Sequence, residues 1–210
     1  RREFPERFVE EDTVRWDEDR RALVSVRETR FDAIVIDSRP AGRVDPARAA
    51  AALVDAVRRL GLDVLPWTEA ARQWQARVQS LRAWQPELGL PDVGDAALHE
   101  TLDDWLAPAF AGKTRLDALD AAGLTKALHG LLDWSQRGEV DRLAPVRVTV
   151  PSGMERPVTY TLDEDGQPRP PVLAAKVQEL FGLADTPRIA DGRVPLLLHL
   201  LSPAGRPLQV

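Results

Sequence analysis

Residues 111–114, with the sequence Ala-Gly-Lys-Thr, could in principle bind a phosphate group, because Gly-Lys-Thr ends the phosphate-binding loop of many nucleotide hydrolases. That loop needs an earlier glycine at the position of Ala107. It must also connect a strand to a helix, whereas residues 104–109 have the pattern of a helix end. We therefore interpret residues 111–114 as a turn between helices.

The residues that could bind a metal or act as a nucleophile are poorly placed for either role. The chain has three histidines and no cysteine, and no histidine has a partner at the spacing of a zinc-binding helix. The acidic residues 163–166 lack the alternating oxygen ligands of a calcium loop, so we predict a hairpin tip there. Ser152 lies outside any nucleophile-elbow sequence. Taken alone, the chain is expected to be neither an enzyme nor a cofactor-binding protein.

Six tryptophans could provide stacking surfaces for the bases of a single-stranded nucleic acid. Five of them fall in an acidic, helical stretch, where packing in the core and at domain interfaces is the better explanation. These five are Trp67, Trp74, Trp84, Trp105 and Trp134.

The composition is that of a folded protein. Of 210 residues, 44% are hydrophobic and 29% are charged, which excludes an intrinsically disordered chain. The net charge is -5 and no segment is strongly basic, so nucleic-acid binding would need a local basic patch. The chain has no cysteine, no signal segment and no apolar run long enough to span a membrane, and we expect a cytoplasmic protein.

The segment 1–44 has the pattern of β-structure. Short apolar runs alternate with polar residues over residues 4–40, which predicts a three-stranded antiparallel meander that ends at Pro40, Ala41 and Gly42.

The segment 45–142 has helical apolar spacing and is predicted to be a bundle. Its most secure helix has Asp45 as N-cap, Pro46 in the first turn and Gly61 at its end. Further helices are predicted from Thr68 to about residue 83, after a cap at Asp95 through residue 106, and in two or three short pieces over residues 116–143.

The segment 143–210 returns to β-structure and is predicted to pack with the first β segment. Alternation at residues 146–150 and 158–162 predicts a hairpin. We expect a helix from Pro171, with a buried stripe that includes Leu173 and Phe181, and a long strand over residues 194–202. Gly205 is expected to adopt a left-handed turn that returns residues 208–210 alongside that strand. The fold class is therefore α+β, with two antiparallel β segments that flank a helical insert.

Four long strings of sequence resemble the C-terminal region of the HrpB family of bacterial DEAH-box ATP-dependent helicases. They are LPWTEAARQWQARV (65–78), VTVPSG (148–153), PPVLAAKVQELFGL (170–183) and TPRIADGRVPLLLHLLSPAGRPLQV (186–210). The resemblance is strongest from Pro145 onward. Because the chain does not begin with Met and ends where the family continues, we expect it to be a piece of a longer protein.

The resemblance implies a fold and a function. The family couples ATP hydrolysis to RNA remodelling through two RecA-like motor domains, which bind ATP and Mg. The Walker and DEAH motifs of those domains are absent from this sequence. Related helicases place an OB-like barrel near the RNA channel. By that analogy, the two β segments would form an OB-like or related small barrel that engages single-stranded RNA.

The resemblance also suggests which residues would contact RNA. Basic side chains would bind phosphates, polar ones would bond sugar or base, and glycine would permit close backbone approach. The candidates are Arg147, Ser152, Gly153, Lys176, Gln178, Arg188, Arg193, His199 and Arg206.

Each of these candidates also has a purely structural explanation. Arg188 and Arg193 could pair with Asp185 and Asp191, and Gln178 could satisfy buried backbone groups at a domain interface.

Two other functions are compatible with the sequence. One is a protein-interaction or structural scaffold that does not touch RNA; the other is a small independent enzyme, for which we find no catalytic residues. An RNA-binding module requires its basic residues to be gathered on one surface, whereas scattered residues favour the scaffold.

Overall fold

The computed structural model describes residues 8–20, 22–41 and 45–207, and it is an α+β fold as predicted. Its contacts group into two compact units, one made of Arg1–Trp67 with His99–Leu128 and the other of Thr68–Leu98 with His129–Val210. The boundaries of these units differ from those of the three predicted segments, 1–44, 45–142 and 143–210. The three segments remain a prediction about the order of elements along the chain. No helix in the described ranges is long and apolar enough to cross a membrane.

The first unit contains the predicted three-stranded meander. Strands β1 (Phe8–Asp17), β2 (Ala22–Phe31) and β3 (Ile34–Pro40) pair antiparallel in the order β1-β2-β3. The meander prediction is confirmed for the described residues, while Gly42, predicted to help end it, lies outside them.

Helix α1 (Pro46–Leu60) has the boundaries that the sequence predicts. The Asp45 carboxylate accepts the amide hydrogen of Ala47 at 3.2 Å, and Gly61, with a φ of 89°, ends the helix. The same unit contains α4 (Leu102–Trp105) and all but the last residue of α5 (Ala121–His129). It also contains two 3-10 helices, Ala107–Phe110 and Leu116–Ala118. Residues 111–114 follow the first of these 3-10 helices as the expected turn, with a φ of 73° at Gly112.

The second unit contains two helices that pack together. In α2 (Glu69–Trp84) the Thr68 hydroxyl oxygen accepts the amide hydrogen of Ala71 at 3.1 Å, so the predicted start is confirmed. Helix α6 (Trp134–Leu143) begins with a capping box between Asp133 and Gln136.

The predicted helix after Asp95 is shorter than expected. It is α3 (Asp95–Glu100), in which Asp95 is the first helical residue and not the cap, and it is separated from α4 at Thr101.

The second unit also contains a four-stranded sheet. Its strands are β4 (Arg147–Thr149), β5 (Glu155–Thr159), β6 (Val172–Lys176) and β9 (Leu197–Leu201), in the order β4-β5-β6-β9. The β4–β5 and β5–β6 pairs are antiparallel, and β6 and β9 are parallel. The predicted hairpin is thus confirmed. Strands β7 (Arg188–Ile189) and β8 (Val194–Pro195) form a short separate hairpin. The predicted long strand is therefore interrupted at Leu196, whose amide donates to the Pro187 carbonyl oxygen at 2.9 Å.

The prediction of a helix from Pro171 is wrong. Residues 172–176 are strand β6, and only Val177–Leu180 form a 3-10 helix. A short apolar run fits a helical and an alternating pattern equally well, and here strands β5 and β9 supply hydrogen-bonding partners on both edges. Leu173 and Ala175 therefore alternate into the core.

The predicted barrel is also not formed by the described residues. Their strands lie in three separate open sheets of three, four and two strands, because β1 to β3 pair only with one another and β9 adds to β6 in parallel. Gly205 adopts the expected left-handed conformation, with a φ of 78°, whereas the predicted return of residues 208–210 lies outside the described residues.

Candidate functional site

One face of the four-stranded sheet brings together three of the predicted site residues. Arg147 lies opposite Pro157 and His199 lies opposite Ala174, and Lys176 is two residues beyond Ala174 on the same strand. Successive strand residues alternate between faces, so the register places Arg147, Lys176 and His199 on one side of the sheet. We call this side the outer face; it consists of residues 147, 149, 155, 157, 159, 172, 174, 176, 197, 199 and 201.

The outer face is directed to solvent, whereas the opposite face is part of the core. Arg147, Thr159 and His199 are exposed and Lys176 is half-buried, while Val158 and Leu173 on the inner face are 5% and 0% exposed. The central strands place exposed Pro157 and Thr159 and half-buried Val172 and Ala174 in the middle of the outer face.

The cations of the outer face differ in their partners. Arg147 donates to the Glu155 carbonyl oxygen at 3.1 Å and lies 3.6 Å from the Glu155 carboxylate. Lys176 forms no ion pair within the described part of the chain, although, after the hydrogen bonds from Arg156, its charge also helps to lower the pKa of the Glu179 carboxyl. Lys176 is therefore the cation of this face that an external phosphate could bind without displacing an ion pair, although the Arg147 side chain is more exposed.

The loop between β4 and β5 lies at the end of the sheet where β6 also ends. Its Gly153 has a φ of 82°, and a Cβ added there would meet no atom within 4 Å. The Ser152 amide donates to the Glu179 carbonyl oxygen at 3.2 Å, which joins this loop to the 3-10 helix after β6. Ser152, Gly153, Lys176 and Gln178 are thus gathered at one end of the sheet.

Glu179 holds this arrangement in place. Its carboxylate accepts hydrogen bonds from the Arg156 guanidinium, with Nε–Oε2 at 2.9 Å, and from the Lys176 backbone amide at 3.1 Å. The hydrogen bonds from Arg156 are the largest cause that lowers the pKa of Glu179 from its ordinary value of 4.5. Gln178, on the same 3-10 helix, is exposed, and the alternative that it satisfies buried backbone groups at a domain interface stays a prediction.

We expect the pKa of Glu179 to rise when Arg156 is replaced by methionine. The ionised carboxylate and its hydrogen bonds are present above the ordinary pKa of 4.5 and are lost as the pH falls through the lower folded-state value. NMR titration of the Glu179 carboxyl carbon measures this. Arg147→Met, which removes an arginine paired with Glu155 instead, is the control. An unchanged titration in Arg156→Met would contradict the assigned cause.

Arg188 and Arg193 lie apart from the outer face, on the β7–β8 hairpin. Arg188 donates to the carbonyl oxygens of Gly192 and Arg193, the latter at 3.2 Å, and Arg193 pairs with Glu87. The predicted pairings with Asp185 and Asp191 are not observed among these contacts; Asp191 pairs with Arg142 at 2.7 Å. Arg193 has a carboxylate partner and the Arg188 guanidinium caps carbonyls, so neither is as available to a phosphate as Lys176.

Arg206 belongs to the turn that follows β9. Its amide donates to the Ser202 hydroxyl at 3.1 Å, and because Leu201 lies opposite Lys176, this turn and Lys176 are at the same end of the sheet. The basic candidates are thus divided between this end of the sheet, its outer face and the β7–β8 hairpin.

Two residues that matter at this site are absent from the sequence-based predictions. Arg156 and Glu179 were hidden because 23 residues separate them. The alternation Arg156, Val158, Tyr160 could have placed Arg156 on the inner face of the hairpin, but only the turn after β6 brings Glu179 to it.

A groove of about 650 Å³ in the second unit is not a phosphate site. It is lined by α2, the start of α3 and the hairpin tip at residues 160–168. Asp92, Asp95, Asp163, Glu164 and Asp165 are among its lining residues, and their charge opposes the binding of a polyanion. The hairpin tip predicted at residues 163–166 is confirmed, since the Asp163 carboxylate accepts the amide hydrogens of Asp165 and Gln167.

Known proteins are similar to this chain in both sequence and fold. A family model described as ATP-dependent helicase C-terminal (HrpB_C) matches residues 105–210, and one described as ATP-dependent RNA helicase HrpB, connector region, matches residues 7–41. The ATP-dependent RNA helicase HrpB of Escherichia coli (strain K12) is 37% identical over 206 residues.

Two solved structures agree with this relationship. The crystal structures of E. coli DExH-box NTPase HrpB and of Escherichia coli DEAH/RHA helicase HrpB match with a TM-score of 0.74 each, at 37% and 36% identity. Each match covers 98% of this chain and 25% of the other, so the chain spans about a quarter of the length of these relatives. The helicase C-terminal model alone covers half of the chain, and the chain therefore belongs to the HrpB family of ATP-dependent helicases and corresponds to the C-terminal region of that family.

Proposed function

We propose that this chain is a non-catalytic C-terminal module of an ATP-dependent RNA helicase, and that it engages single-stranded RNA at the outer face of its four-stranded sheet. The observation that carries the proposal is the position of Arg147, Lys176 and His199 on one exposed side of that sheet. An exposed sheet face with cations at its margin is a suitable surface for an extended strand.

In this proposal, the side chains have distinct tasks. Lys176 binds a phosphate, and Arg147 exchanges its contact with Glu155 for a second phosphate. Ser152 and Gln178 bond sugar or base, and Gly153 lets the RNA backbone approach the loop closely. The phosphates thereby position the strand, while the polar side chains provide the shorter-range contacts.

The rest of the proposal concerns the longer helicase. The RecA-like motor domains of the same polypeptide would bind ATP and Mg and perform hydrolysis, and this module would pack against them. The cytoplasmic location expected from the sequence stays a prediction.

Removal of the Lys176 ammonium group should weaken RNA binding and its dependence on salt. We expect Lys176→Ala to lower the affinity for labelled single-stranded RNA and to reduce the slope of log affinity against log salt by about 1, because one phosphate contact is lost. Fluorescence anisotropy across a salt series measures both. Lys126→Ala, at an exposed lysine on α5, is the matched control and should leave the slope unchanged.

Absence of RNA binding at low salt by the folded chain would overturn this function and favour the scaffold. Two observations support that alternative. The basic candidates are divided between the outer face, one end of the sheet and the β7–β8 hairpin, and scattered basic residues favour a scaffold. In the meander, Val9, Ile34 and Ile36 are 52%, 67% and 55% exposed, and exposed apolar residues of this size are typical of protein-binding surfaces. Binding with the same salt slope in Lys176→Ala and the unchanged chain would show instead that RNA uses another surface.

A further inference from the structure

Phe181 is an exposed aromatic residue that follows β6. It lies at the end of the four-stranded sheet where the β4–β5 loop is also found. Its side chain is 71% exposed, although the sequence pattern predicted it to be buried on a helix. It directly follows the 3-10 helix Val177–Leu180, and Gly182 behind it has a φ of 90°. Phe110, by contrast, is fully buried. An exposed phenyl ring in a defined backbone conformation is available for contact with a partner.

The backbone that carries Phe181 is fixed by Glu179, two residues earlier. The Glu179 carboxylate is held by Arg156 and by the Lys176 amide, and its carbonyl oxygen accepts from Ser152. The Leu183 amide then donates to the Leu180 carbonyl oxygen at 3.0 Å and closes the turn around Phe181. Little conformational entropy of the backbone is therefore lost when the ring binds a partner.

The residues close to Phe181 in this turn and loop favour a nucleotide as its partner. Lys176, which forms no ion pair in the described ranges, ends the adjoining strand, and Gln178 is exposed between them. Gly153 in the joined loop leaves open space above its backbone. Met154 of the same loop is also 51% exposed, so the ring has one apolar neighbour in the joined loop beside the polar groups. An exposed ring next to a cation and polar side chains matches one base with its phosphate.

We propose that Phe181 is a stacking platform for one unpaired RNA base, whose neighbouring phosphate is bound by Lys176. This inference rests on the proposed function, because it assigns a base contact to the same site. It adds a residue that binds the base itself, whereas the cations of the outer face recognise only the backbone.

The test compares Phe181→Ala and Phe181→Tyr in binding to a short fluorescein-labelled oligoadenylate and to an abasic strand of equal length. We expect Phe181→Ala to weaken oligoadenylate binding by about 5- to 100-fold, Phe181→Tyr to retain most of it, and the abasic strand to bind the unchanged chain and Phe181→Ala equally. Trp134→Ala is the control, since Trp134 is an exposed aromatic residue, 89% accessible, of the same unit but on α6. Circular dichroism checks that each variant is folded.

The outcomes separate this inference from the proposed function. If Phe181→Ala binds oligoadenylate as tightly as the unchanged chain while Lys176→Ala binds more weakly, the stacking contact is overturned and the RNA face remains. An equal loss of affinity for the abasic strand in Phe181→Ala also overturns stacking, because no base is present to stack. If the unchanged chain binds neither strand, both are overturned.

Discussion

Replacement of Tyr160 by alanine is expected to lower the free energy of unfolding by about 3–5 kcal/mol, the range for removal of a large buried aromatic side chain. Tyr160 is 1% exposed, and its hydroxyl donates to the Pro145 carbonyl oxygen at 2.8 Å. The Gln73 side chain on α2 accepts from the Tyr160 amide at 2.9 Å and donates to its carbonyl oxygen at 3.0 Å. The ring therefore fills the core at the point where α2 is bonded to the chain after β5.

Tyr160→Phe separates the packing of the ring from its hydrogen bond. It should cost about 1–2 kcal/mol, because the ring remains while the Pro145 carbonyl oxygen loses its donor. Burial raises the pKa of Tyr160, so the hydroxyl stays protonated and able to donate throughout the neutral range. Urea unfolding followed by circular dichroism measures both variants. Equal costs for Tyr160→Phe and Tyr160→Ala would contradict the view that packing of the ring dominates.

Arg77→Ala is the second substitution with a large expected effect, a loss of about 3 kcal/mol in the free energy of unfolding. Arg77 lies on α2 with a side chain only 8% exposed. Its guanidinium donates to the Ala144 carbonyl oxygen at 2.7 Å and to the Asp141 carboxylate at 2.9 Å, both near the C-terminus of α6. A positive charge there satisfies carbonyl oxygens that have no partner within the helix.

Arg82→Ala provides the matched control for Arg77→Ala. Arg82 is on the same helix, but its side chain is 44% exposed and lies 3.4 Å from the half-exposed Asp92. An exposed pair of this kind contributes roughly 0–1 kcal/mol. Similar unfolding free energies for Arg77→Ala and Arg82→Ala would show that the buried guanidinium does not stabilise the contact between α2 and α6.

Local signals in the sequence predicted the elements that depend on their own residues. Asp45, Pro46 and Gly61 defined α1 because each acts on the backbone within a few residues. Thr68 defined the start of α2 for the same reason. The antiparallel hairpins could also be predicted from the sequence, because alternation indicates a half-buried strand and a short loop restricts which strand it pairs with.

Elements that depend on distant residues were predicted less well. Residues 172–176 fit a helical stripe, and they became a strand because β5 and β9 hydrogen-bond to both of its edges. The same change moved Phe181 from an expected core position to the surface, because a 3-10 turn after a strand does not continue a helical face. Among the helical tryptophans, Trp134 is 89% exposed in the first turn of α6, so it is not a core residue of its unit, and its packing at a domain interface stays a prediction.

The candidate site shows the same division. By itself, the sequence determined the residue types, the turn at Gly153 and the family resemblance, all of which are properties of contiguous residues. Only the tertiary structure decided that Arg147, Lys176 and His199 share a face, that Arg193 pairs with Glu87, and that Glu179 joins two loops. The physical reason is that strand register and ion pairing are chosen by the lowest free energy of the whole packed unit, in which residues far apart in sequence compete for the same partners.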